Sequence, residues 1–181
     1  MQNINHQIIK IGVTGHRLLE DEELIRKKVH EILQSLNETS HHEDYSIISI
    51  SPIAEGSDRL VAKEILSFEG NTQENKLVVV LPLEKEDYMN DFETIKSKKE
   101  FEELTDLATK IITLKEAPTR NEAYLQVGKY VADMCDVLIA IWDGKESHGK
   151  GSTAEIVDYA KCINREIIWI NSVSGKINIL N

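Results

Sequence analysis

Cysteine is nearly absent from this sequence. Cys135 and Cys162 are the only two in 181 residues, and no metal-ligand spacing surrounds them, which excludes a disulfide scaffold and a zinc module. Both lie in apolar helix or strand-edge context and are expected to be core thiols of a protein kept in a reducing cytosol. No apolar run approaches the ~20 residues of a membrane span, and Met1 to Gln7 do not resemble a signal peptide, so the expectation is a cytoplasmic protein with no membrane partner. Positive charge is also short: 21 Lys and Arg against 31 Asp and Glu leave a formal net charge of −10. Such a surface cannot follow a nucleic-acid backbone, so no nucleic-acid partner is expected and any bound phosphate must be held locally. With three prolines there is no proline-rich linker, and there is no internal repeat or low-complexity tract. One domain, residues 1–181, fits the usual ~100–200 residues; no cofactor and no metal site are implied.

What the chain does have is concentrated between Asp136 and Glu155. Val137 to Ile141 is continuously apolar, as a parallel strand covered on both faces should be, and Asp143-Gly144 breaks it. In the loop that follows, Gly149 and Gly151 leave room for a ligand to approach the backbone, and Ser152 can cap a helix whose free N–H groups and positive dipole end face the loop. An anion fits there. Ser152 to Glu155 also satisfies the capping-box pattern, so Glu155 can close the cap on Ser152, present a carboxylate to a ligand, or do both.

Earlier in the chain, Ile8 to Val13 is a β-branched strand that ends in Thr14-Gly15-His16-Arg17 and is followed by an amphipathic helix carrying Leu24, Ile25, Val29, Ile32, Leu33 and Leu36. A hydroxyl, an imidazole and a guanidinium thus stand at the carboxyl end of the strand, the usual ligand edge; singly, His16 is also readable as a turn residue and Arg17 as a solvated charge. Tyr45 to Ile50 is the second strand, and its exit loop contains Gly56, which gives backbone freedom, and Ser57 or Asp58, either of which can cap the next helix. Arg59 falls in the first turn, where a cation opposes the helix dipole unless an anion is near; a ligand supplies one, and so would Asp58 or Glu55.

Lys76 to Leu81 reads as a third, central or nearly central strand. The segment 84 to 96 reads as a loop or lid in which Tyr88 and Phe92 cover a base or pin the loop to the body. Ser97 to Glu100 opens a helix, Lys110 to Leu114 is a short strand, Thr119 to Glu122 opens another helix, and Glu166 to Ile170 is the last strand; Asn37 to Asp44 is a loose connection. Six strands alternating with helices specify an α/β, doubly wound, Rossmann-like three-layer sandwich with a mainly parallel six-stranded sheet. Right-handed crossovers carry the chain outward from strand one to strand four and return it to place strands five and six on the other side. The switch point then falls between strands one and five, where Thr14–Arg17 faces Asp143–Ser152 with Gly56–Arg59 beside them.

These residues resemble the SLOG superfamily, Rossmann-like proteins related to the Lonely Guy nucleotide phosphoribohydrolases, at one time called lysine decarboxylases, and to the DNA-processing protein A family. The resemblance rests on Asp136-Val-Leu-Ile-Ala-Ile followed by Gly149-Lys150-Gly151-Ser152-Thr153-Ala154-Glu155, on the Thr14 to Arg17 turn, and on Gly56-Ser57 after the second strand. It implies a nucleotide or nucleotide-derived ligand with phosphate on the glycine loops (Thr14, Gly15, His16, Arg17, Gly56, Ser57, Arg59, Asp143, Gly149, Gly151 and Ser152 being the ligand-binding candidates) and ribose near Glu155. Two activities are compatible with it. One is a binding module, a sensor of nucleotide signals in bacterial defence; the alternative is a hydrolase cleaving the N-glycosidic bond of a nucleoside 5'-monophosphate, with Glu155 as the catalytic residue. The helix-borne Arg that those hydrolases pair with the Glu has no clear match here, which favours the sensor. Similar proteins are commonly homo-oligomers, so a dimer or tetramer is expected.

Overall fold

A computed structural model describes residues 7–39, 45–70, 74–115, 117–146 and 149–180. In chain order the elements are β1 (Gln7–Gly15), α1 (Glu22–Thr39), β2 (Tyr45–Ser51), α2 (Ser57–Ser67), β3 (Lys76–Leu81), α3 (Lys85–Met89), α4 (Ile95–Leu107), β4 (Lys110–Thr113), α5 (Arg120–Met134), β5 (Val137–Trp142), α6 (Thr153–Cys162), β6 (Glu166–Asn171) and β7 (Ile177–Leu180). The strand order is β4-β3-β2-β1-β5-β6-β7. Every pairing is parallel except β6 with β7. The expected outward and return paths are therefore realised, and β1 is the central strand, with β3 next to the edge strand β4.

The sheet has seven strands rather than the expected six. The extra one exists because the chain turns back after β6. Asn171 Oδ1 accepts hydrogen bonds from the Val173 and Ser174 N–H groups at 3.1 and 2.9 Å, and Gly175 takes the left-handed conformation, φ 68°, that completes the reversal. Four residues without strong alternation then add antiparallel to an edge, which is why sequence pattern alone passes over them.

Two sets of helices cover the two faces. Ile25, Val29 and Leu33 of α1 and Leu60, Val61 and Ile65 of α2 pack on Ile11, Ile47 and Ile139 of the sheet. Phe101 and Leu104 of α4 cover Leu77 and Val79, whose register partners Ser49 and Ser51 lie on the same face as Ile47. On the opposite face Val127 and Val131 of α5 and Ile156 and Ala160 of α6 pack on Leu138 and Ala140. Gly12 lets α5 come close: a Cβ there would stand 2.8 Å from Cys135 Sγ and from Val131. Cys135 is accordingly buried, and burial pushes its thiol up to about 11. Cys162, expected in the core, is exposed on the last turn of α6.

Several local expectations shift. The segment after β3 contains the short helix α3, and Tyr88 and Phe92 are buried against Phe101, so they pin this segment to the body. Helix α4 begins at Ile95 under a Thr94 cap, because Thr94 Oγ1 accepts the Ser97 N–H at 3.0 Å; Ser97 lies inside the first turn. Helix α5 is capped as expected by Thr119, which accepts the Glu122 N–H at 3.2 Å. Asn37 to Thr39 belong to α1, while residues 40–44 of the expected loose connection lie outside the described residues, as do 147–148 of the loop after β5. Among the described residues, no helix is long and apolar enough to cross a membrane.

Candidate functional site

The ends of β1 and β5 diverge at the switch point, and the loops there are stitched together by the backbone. His16 N–H donates to Ile141 O at 2.9 Å, while His16 O accepts from Ser57 N–H at 3.1 Å and Ser57 Oγ at 2.9 Å. Such close approach needs glycine. A Cβ on Gly15 would lie 2.4 Å from Ser57 Oγ and 2.6 Å from Ile141 O, and one on Gly56, which has φ +74°, would lie 2.3 Å from Arg17 O. Gly56 and Ser57 therefore hold the first loop in place, and neither lines the crevice.

Two adjoining cavities occupy that crevice, of about 260 and 490 Å³, and Gly15, Arg17, Gly151 and Thr153 line both. The smaller is walled by apolar groups on one side, Val13, Val127 and Ile156, and by Thr14, Asp58, Tyr88 and Tyr124 on the others. The larger is polar: His16, Asp143, Lys145 and Ser152 surround it, over Trp142. Together they fall in the size range of small-molecule sites, ~300–1,000 Å³.

At the rim, Arg17 is exposed and its guanidinium stands 5.6 Å from the centre of the Tyr124 ring. Tyr124 is itself fixed: its hydroxyl donates to Asp91 Oδ2 and accepts from Arg120 Nε at 2.9 Å, and Arg120 pairs with Asp91 at 2.8 Å and Asp87 at 3.1 Å. Across the crevice, Asp143 N–H lies 3.2 Å from His16 Nε2, and Asp143 Oδ1 lies 3.5 Å from the same nitrogen. One ring nitrogen cannot both accept the first contact and donate to the second, and the shorter contact has His16 Nε2 accepting the Asp143 N–H. The Lys145 side chain, 2.9 Å from Oδ2, and the Lys145 N–H hold the Asp143 carboxyl down at about 2.

Gly151, at φ +79°, turns the chain into α6 beside Tyr124 Cβ, 3.1 Å from where its own Cβ would be. Ser152 then caps the helix, accepting the Glu155 N–H at 3.3 Å, and Glu155 Oε2 accepts the Gly151 N–H at 2.8 Å. Glu155 thus closes the cap on Gly151 rather than on Ser152. With Gly149, Lys150 and Asp158 it lines an outer cavity of about 560 Å³ that adjoins the larger crevice cavity across Glu146, Ser152 and Ala154; Glu155 itself lines neither of the two crevice cavities. The first N–H groups of α6, which have no partner inside the helix, remain at the crevice, where Thr153 lines both cavities.

Arg59 is spent elsewhere. It is buried, with Nε donating to Ile53 O at 3.0 Å, Nη1 to Ser97 O, Ser97 Oγ and Glu100 Oε2 at 3.0, 2.9 and 2.8 Å, and its cation 4.4 Å above the centre of the Phe92 ring. Glu100 is its ion-pair partner, and Glu55 reaches Ser97 Oγ instead. Arg59 joins α2 to α4.

The residues that sequence reading passed over are Asp58 and Tyr124. Asp58 is 5% exposed, lines the smaller cavity, and accepts the Ala54 N–H on Oδ2 at 3.2 Å instead of capping α2, whose N-cap is Gly56. Burial raises its carboxyl to about 7, against the lowering effect of the Ala54 bond, Arg17 and Arg59. Its place at the exit of β2, on the ligand edge, was the available signal. Tyr124 stands one turn inside α5, at the spacing that puts it on one face with Val127 and Gly128, and these three are what α5 presents to the cavity. Among the described residues, no group of three or more His, Cys, Asp or Glu gathers as a metal would require. The sequence matches no known protein-family model, and no curated protein matches it at a significant level.

Proposed function

We propose that this protein binds a nucleotide or a nucleotide-derived small molecule in the crevice between β1 and β5, as a binding or sensing module rather than a hydrolase. The observation that carries the reading is the convergence of the α6 N-terminus, from Ser152 to Ala154, and of Arg17 on the two adjoining cavities. A phosphate there receives free N–H groups, the positive end of the helix dipole and a forked cation, the local holding that a chain of net charge −10 requires. The apolar smaller cavity beside it offers room for a ring. Against hydrolysis stand two features: Glu155 is engaged by the Gly151 N–H and lines neither of the two cavities, and α5 contributes Tyr124, Val127 and Gly128 to the wall but no cation.

Thermal-shift screening against nucleotides, ADP-ribose and cyclic derivatives tests the reading, since a ligand at 100 times its Kd that binds only the folded state adds ~2.7 kcal/mol. Arg17→Ala should weaken a bound monophosphate by ~1.5–3 kcal/mol, the scale of a charge-assisted hydrogen bond, and leave the matching nucleoside unchanged. Equal loss for both compounds would sink the phosphate assignment.

A further inference from the structure

On the wall of the smaller cavity Asp58 keeps one carboxyl oxygen free of protein partners among the described residues. Asp58 is 5% exposed, and its Oδ2 is committed to the Ala54 N–H at 3.2 Å. Among the described residues nothing donates to Oδ1, and the residue lines the cavity with Pro52 and Ala54 beside it and Val13, Val127 and Ile156 opposite. The charged and titratable groups around it are few: Arg17 from the loop after β1, Arg59 on its own helix, and Tyr88 from α3, behind which stand Tyr124 and Asp91. Arg59 is already matched by Glu100, and Arg17 lies at the rim. A carboxyl buried to this degree resists ionisation, and a ring entering the cavity would remove still more water from it. Because the carbonyl oxygen of a neutral acid is the better acceptor, the Ala54 N–H on Oδ2 favours the proton on Oδ1, the oxygen without a donor among the described residues.

Resting on the nucleotide reading above, we propose that Asp58 is the specificity-determining residue of this site, acting as a neutral carboxylic acid whose Oδ1–H donates to a ring nitrogen or ring carbonyl of a heteroaromatic base. The phosphate end and the base end of the ligand are then read by different chemistry, charge at Arg17 and α6, and an uncharged donor at Asp58. This differs from the usual use of an acidic residue as an acceptor for ribose hydroxyls. An acceptor role would favour the ionised form and would be destroyed by an amide. A donor role is preserved by an amide: Asp58→Asn can keep its oxygen on the Ala54 N–H and point its NH2 donor at the ring.

The test is calorimetry with AMP, GMP, CMP and UMP, and with ribose 5-phosphate as the probe that lacks a ring, on wild type, Asp58→Asn and Asp58→Ala at about pH 6 and about pH 8.5. For the tightest of the four nucleotides, wild-type affinity should fall about tenfold or more at the higher pH relative to Asp58→Asn, whose donor does not titrate. The phosphate's own titration affects both proteins equally and cancels. Asp58→Ala should bind about tenfold or more weakly than Asp58→Asn at both pH values, and ribose 5-phosphate should not distinguish the three proteins. An Asp58→Asn variant as weak as Asp58→Ala, a pH response shared by wild type and Asp58→Asn, or loss of ribose 5-phosphate along with the nucleotides overturns the proposal while the nucleotide reading stands. A wild-type protein that binds none of the four nucleotides overturns both. Should Asp58→Ala fail to fold, the wild-type and Asp58→Asn pH comparison decides alone.

Discussion

Asp58→Asn should make the protein more stable, and the gain should grow with pH. The Asp58 carboxyl titrates near 3.8 in the unfolded chain, and burial raises it to about 7 in the folded one. Between those values the folded protein holds a proton that the unfolded chain has released, so stability is fully present below pH ~4 and is lost as pH rises through about 7. At 1.36 kcal/mol per pH unit, the loss is roughly 4 kcal/mol when complete, and about 2–3 kcal/mol of it falls between pH 5 and pH 8. The amide removes this term and still offers an oxygen to the Ala54 N–H, so its size and main contact persist. Arg17 loses an attraction in the variant, but that attraction already counts among the effects that lower the wild-type value. Urea denaturation of both proteins across this range gives the measurement: the stability difference, variant minus wild type, should rise by about 2–3 kcal/mol from pH 5 to pH 8, with other carboxylates cancelling. A difference that stays flat with pH, or that falls, would show that Asp58 ionises freely in the folded state and would refute the reasoning that links its burial to its chemistry. A stability cost of this kind at a cavity wall is the trade expected of a functional residue.

The glycines of the site separate into two kinds. Gly15→Ala should cost about 1–3 kcal/mol in the same denaturation assay, because the Ile141 carbonyl 2.6 Å from the new Cβ cannot step aside, whereas Gly149→Ala meets nothing within 4 Å and should be near neutral. Glu155→Gln should leave nucleotide affinity unchanged and cost no more than ~0.5–2 kcal/mol of stability through a weakened cap; release of free base by the wild type, abolished in this variant and followed by chromatography, would instead establish the hydrolase alternative. Light scattering at tens of micromolar should report a dimer or larger assembly, and a strictly monomeric mass with and without ligand would refute that expectation.

Alternation of apolar runs with amphipathic helices, read with right-handed crossovers, is enough to order β4 through β6 and to put the switch point between β1 and β5. The caps at Thr119 and Ser152 are equally local, since each is a side chain meeting a backbone N–H three residues on. Such features are written in the sequence because their partners are near in the chain or recur at a fixed period. Strand β7 is not, since a four-residue edge strand depends on a turn and on an available neighbour. Nor is the division of labour at the start of α2. Asp58 and Arg59 are adjacent, about 100° apart around a helix, and sequence alone allowed the arginine to meet the ligand and the acid to serve as a cap or as its partner. Packing of α2 against β1, β2, β3 and α1 decided its rotation, sending Arg59 to Ser97 and Glu100 and leaving Asp58 on the cavity wall. The phase of a helix about its axis is set by the surfaces that bury its apolar stripe, and those surfaces come from distant parts of the chain.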